Sequence, residues 1–143
     1  MRKHSSAASF VALLSLIAIG IWSVDAKAKA PLKGASIEAV RKAVAQDIGA
    51  QEDSLEIVQK GKILTITRVN SALNESTHQG RNDDATTIVA GVLKAIADKT
   101  EYKSLYSIYI LYADRAVGSS KNKVIDTIEF RKNQKGEFEI HLT

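Results

Sequence analysis

The chain has 143 residues, 45% hydrophobic and 25% charged, which places it in the range of one ordinary globular domain and excludes disordered and fibrous classes. It contains no cysteine, so disulfides, thiol chemistry and a lipid-anchored lipoprotein signal are excluded. The formal net charge of +4 comes from interleaved acids and bases, a mild bias that gives no basic face for a nucleic acid.

The N-terminus has the three parts of an export signal in order: the basic Arg2, Lys3 and His4, an apolar run from Phe10 to Val24, and small residues around Ala26. Val24-Asp25-Ala26 fits a small-x-small cleavage site, and the same pattern recurs at Ala28 and Ala30. The run of about 15 residues is short of the roughly 20 that span a bilayer as a helix. Residues 1–26 are therefore expected to be a signal peptide, and the chain to be periplasmic or secreted from a bacterium, meeting a membrane only if the signal stays uncleaved. Lys27 to Ala35, with three lysines, the only proline and a glycine, is expected to be a flexible leader to a single domain over 36–143.

Within that domain, Ser36 is placed to cap a helix whose apolar stripe is Ile37, Val40, Val44 and Ile48, with Gly49 as its stop. Leu55–Gln59 and Ile63–Val69, joined at Lys60-Gly61, read as a β-hairpin. Ser71 to Asn82 is polar and aperiodic, a connection of a length that is either functional or mobile. Helix 2 is expected from about Asp83 to Lys99, on the stripe Ala85, Ile88, Val89, Val92, Leu93 and Ile96. Leu105–Ala113 is apolar on both faces, as a central strand is. Val124–Arg131 and Glu137–Leu142, joined by a turn at Asn133–Gly136, complete the order α-β-β-α-β-β-β. The predicted fold is α+β, a two-layer sandwich of a twisted, mainly antiparallel sheet with both helices on one face. Helix, hairpin, helix and strand over about residues 36 to 113 are similar in order to the topology of BON domains, small envelope modules that associate with membranes or other proteins. The glycine pattern of that family after the second strand is missing, and the long loop and C-terminal hairpin depart from it, so the order assigns no family.

The candidate site residues are His78, Arg81, Asp83, Tyr106 and Tyr112. His78 with Asp83 or Asp84 has donors for a metal or a general base, yet no metal-ligand spacing such as His-x-x-x-His occurs, and the two carboxylates also suit the start of a helix. His141 falls on the charged face of the last strand. Arg81, just before the expected helix, is placed to help hold a small anion. Gly118–Lys123 lacks the spacing of a phosphate loop and reads as a turn between strands. Alternation puts Tyr106 and Tyr112 on one sheet face, packed on the helices or forming a recognition surface. Asn74-Glu75-Ser76 is a glycosylation sequon, relevant only in a eukaryotic source.

No catalytic residue, metal or cofactor is assigned. The expected function is a non-enzymatic binding domain whose partner is a protein or envelope component, met through the open sheet face or the Ser71–Asn82 loop. The alternatives are an exported inhibitor or immunity-type protein against a hydrolase or toxin, and a small enzyme using His78 with Asp83 or Asp84. An exposed edge strand leaves the oligomeric state open.

Overall fold

The computed structural model describes residues 35–141, so the expected signal peptide (1–26) and all of the expected leader except Ala35 lie outside the described residues. Two helices, α1 (Ala35–Ile48) and α2 (His78–Ile96), cover one face of a five-stranded sheet. The strands are β1 (Leu55–Lys60), β2 (Ile63–Val69), β3 (Ser107–Asp114), β4 (Lys123–Lys132) and β5 (Phe138–Ile140), and they lie in sequence order across the sheet. This is the expected two-layer α+β fold. All neighbours are antiparallel except β2 and β3, which run parallel because α2 carries the chain back across the sheet between them. No helix among the described residues is long and apolar enough to cross a membrane.

The core follows from the two periodicities. Leu64 and Ile66 on β2, with Ile108, Ile110 and Tyr112 on β3, alternate onto the helix-covered face, where they meet Val40 and Val44 of α1 and Ala85, Ile88 and Val92 of α2. All ten of these side chains are shut off from solvent. At roughly 1.5–3 kcal/mol for each large apolar side chain, this burial is the main stabilising term of a cysteine-free domain.

Several local boundaries differ from the sequence expectation, among them the end of α2, at Ile96 and not Lys99. Ser36 lies inside the first turn of α1, where its hydroxyl donates to Glu101 Oε1 at 2.7 Å instead of capping. The first hairpin turns at Gly61-Lys62, with Lys60 paired to Ile63 and Gly61 in the left-handed region at φ 57°. The predicted long loop ends at Thr77, because α2 starts at His78, about five residues early. Thr77 caps it by accepting from the Gly80 amide at 3.1 Å, and Ala72–Glu75 forms a 3₁₀ turn that Ser71 caps in the same way. β5 ends at Ile140, and Leu142, the last apolar position of the expected strand, is outside the described residues.

Candidate functional site

The early start of α2 determines where the candidate residues sit. Arg81 is four positions before Ala85, so it continues the inward stripe of α2 and is only 12% exposed at its side chain. Its Nε donates to Asp126 Oδ2 on β4 at 2.6 Å, and its Nη1 donates to the Ser76 carbonyl at 2.6 Å, with Leu73 and Asn74 carbonyls at 3.4 Å. The guanidinium thus fastens the 71–77 segment to the helix and both to the sheet. It is engaged within the fold, not presented to a bound anion as the sequence suggested. Asn74 adds a second fastening, its amide donating to the Ala113 carbonyl at 3.0 Å and to Asp114 Oδ1 at 2.6 Å.

His78 pairs with Asp126, not with Asp83 or Asp84. Its Nδ1 is 2.8 Å from Asp126 Oδ2, the oxygen that Arg81 also occupies, while the imidazole itself is largely exposed. Asp83 points to solvent and accepts from Gln79 at 2.8 Å. Asp84 turns inward, where Arg68 Nη1 of β2 meets both its oxygens at 2.6 and 2.8 Å. Periodicity could not supply Asp126, because it lies 45 residues from Arg81 and only the β3–β4 register, which sets it opposite Tyr112, brings it under α2.

Tyr112 is completely buried, with its hydroxyl 2.6 Å from Asp84 Oδ2 and 2.9 Å from the Arg81 carbonyl. Burial, then the Asp84 carboxylate beside it, push its ionisation far above the ordinary tyrosine value. Tyr106 does not share its surface. It precedes β3, is 50% exposed, and carries the Arg131 guanidinium 5.9 Å from its ring centre, so alternation grouped two tyrosines with opposite environments. Asp126 is buried enough to raise its pKa, but hydrogen bonds from Arg81, His78 and the Thr127 amide outweigh burial and hold it below the usual carboxylate range.

His78 and His141 line one cleft of about 220 Å³ together with Asn82, Thr127 and Glu129. His141 reaches it because its amide donates to the Glu129 carbonyl at 2.8 Å, drawing the end of β5 across β4. No group of three His, Asp or Glu side chains placed to hold a metal ion exists among the described residues. The hydrogen-bonding partner of His78 is a carboxylate already neutralised by Arg81, and no hydroxyl bonds to His78 among the described residues. The arrangement joins the start of α2 to β4.

The opposite face of the sheet is covered by neither helix. Its middle carries Thr65 and Thr67 of β2, Ser107, Tyr109 and Leu111 of β3, and Glu129 and Arg131 of β4. Glu129, 9% exposed, accepts from the Ser107 hydroxyl at 2.9 Å and from the Arg131 guanidinium at 3.0–3.1 Å. Burial raises the Glu129 carboxyl, but those hydrogen bonds outweigh it and leave the group below its ordinary value. Tyr109 beside it is raised, by burial and then by the Glu129 carboxylate. At the end near the 71–77 segment, Glu56 pairs with Arg115 and accepts from Asn122 at 3.0 Å, tying β1 to the β3–β4 loop across the same face. No model of a known protein family matches the chain, and no curated protein resembles it in sequence.

Proposed function

We propose that the chain is an exported binding domain that holds a protein or envelope component against the open face of its sheet. The single observation carrying this reading is that both helices lie on one side, leaving the Tyr106–Arg131–Glu129–Tyr109 patch uncovered by either helix and its guanidinium held by Glu129. Tyr and Arg are the side chains that most often carry binding energy at interfaces, and here the Arg131 guanidinium is already oriented by Glu129, which lowers the entropic cost of association. The polar groups of the other face are engaged in holding α2, the 71–77 segment and β4 together, which supports a binding role over chemistry there. The order of basic, apolar and small residues before Lys27 supports export to a periplasmic or extracellular location.

A photo-crosslinking phenylalanine analogue tests this when placed at Thr65 on the open face and, separately, at Thr86 on the exposed side of α2. In a native envelope fraction, the Thr65 site is expected to give one discrete adduct that excess unlabelled chain competes away, and the Thr86 site none. Identical adducts from both positions, or no competed adduct from Thr65, would overturn the reading.

A further inference from the structure

On the helix-covered side, the end of α2 and the β4–β5 hairpin enclose an open groove of about 450 Å³, within the size range of small-molecule sites. Its floor is apolar: Leu93 and Ile96 of α2, Tyr102 and Leu105 of the following turn, and Phe138 of β5. Leu93 and Phe138 pack on the core yet stay partly open to solvent, so the floor is an extension of the core that nothing among the described residues covers.

The rim is cationic. Lys99, Lys103 and Lys132 line it, and none of the three makes a salt bridge among the described residues, although Lys99 is near enough to Glu101 to help lower its carboxyl. Lys132 holds its ammonium 5.1 Å from the centre of the Phe138 ring, at the boundary between floor and rim. Among the described residues the only acid on the lining is Glu137, which accepts from the Asn133 amide at 3.3 Å, while nearby Glu101 accepts from Ser36. Three like charges around an apolar slot make it more favourable for an anion than for a cation. The leader itself carries Lys27, Lys29 and Lys33, the wrong sign for that position.

We infer that this groove binds a single-chain anionic amphiphile of the fatty-acid type, its acyl chain on Leu93, Tyr102 and Phe138 and its carboxylate among Lys99, Lys103 and Lys132. The site is on the opposite side of the sheet from the proposed partner surface and stands or falls independently of it.

Calorimetric titration of the full chain with octanoate, decanoate and dodecanoate, each below its micelle concentration, tests the inference. One-to-one binding is expected, tightening two- to fourfold per added methylene as apolar surface is covered. Combined Lys99→Gln, Lys103→Gln and Lys132→Gln substitution is expected to weaken dodecanoate roughly tenfold, and dodecyltrimethylammonium to bind at least as poorly. Phe138→Ala is expected to flatten the dependence on chain length. Absence of saturable binding, equal binding of the cationic homologue, or binding that survives both sets of substitutions and so resides elsewhere, including the apolar run Phe10–Val24, would each overturn it. Crosslinking from Thr65 in the groove variants separates this outcome from that of the open face.

Discussion

Arg81 Nε and Asp126 Oδ2, 2.6 Å apart, join the first turn of α2 to the middle of β4, and the same guanidinium reaches back to the Ser76 carbonyl. The helix start, the segment just before it and a strand 45 residues away therefore share one partly buried cation. Removing one member of such a pair leaves the other desolvated and unpaired, which costs more than the pair itself contributes. Arg81→Ala is expected to lower the unfolding free energy by about 3 kcal/mol, and Asp126→Asn by about 2 kcal/mol. His78→Ala, at a largely exposed position, is expected to change it by less than about 0.5 kcal/mol. Urea unfolding of the three variants checks the order, and a His78 effect as large as that of Arg81 would contradict it.

Tyr112 is coupled to the same region through Asp84. Its hydroxyl supplies one of the hydrogen bonds that satisfy the Asp84 carboxylate, so Tyr112→Phe is expected to cost about 1–2 kcal/mol with the ring packing kept. The raised folded-state value gives the pH dependence. The unfolded tyrosine ionises near 10 while the folded one resists, so its stabilisation is complete below that pH and is lost as pH rises above it. Denaturant unfolding between about pH 9 and 11 should show wild type losing stability more steeply than Tyr112→Phe. Parallel slopes would mean that the hydroxyl is not held protonated by the fold.

Most of the fold is legible in apolar spacing. Val40 and Val44, Ile88 and Val92, and the doubly apolar Ile108–Tyr112 stretch report which faces meet, and each lies where its period places it. The first turn of α2 is not legible in that way, because the inward position four residues before Ala85 is Arg81, a residue type that a hydrophobic stripe reads as its end. Thr77 was the available signal, a capping residue one position before the helix. The His78–Asp126 contact was hidden for a different reason: local spacing favours Asp83 and Asp84, and only sheet register chooses between carboxylates near in sequence and one near in space. The same limit applies to Tyr106, whose ring follows Arg131 on the neighbouring strand and not the alternation of its own.

Acid should weaken the domain through Asp126 and Glu129. Both carboxyls are held below their ordinary values in the folded chain, so the unfolded chain binds protons first as pH falls. Their stabilisation is present above the unfolded range near pH 4 and is lost as pH drops through the lower folded values. Unfolding free energy is expected to be flat from about pH 7 to 5 and to fall below about pH 4. Paired Asp126→Asn and Glu129→Gln substitution should give a less stable domain with a shallower acid limb; an unchanged limb would assign the acid sensitivity to other groups.

Gly91 lies on the buried side of α2 where the helix faces α1, and a β-carbon added there would stand 3.3 Å from Asp47 Oδ2 and 3.6 Å from Asp47 Cβ. The tighter of these contacts is with the end of a partly exposed side chain whose only ion-pair partner among the described residues is Lys94, at 3.8 Å. A small rotation of the Asp47 carboxylate relieves it. Against that adjustment, alanine in a helix interior is favoured over glycine by about 1 kcal/mol, since it restricts the unfolded chain. Gly91→Ala is therefore expected to stabilise the domain by about 0.5 kcal/mol, and Gly91→Leu to destabilise it by at least about 2 kcal/mol because its branch would force the helices apart. Thermal and urea unfolding of both variants measure the balance. A loss of stability in Gly91→Ala would show that the α1–α2 contact is too close to yield even the few tenths of an ångström that one methyl group needs.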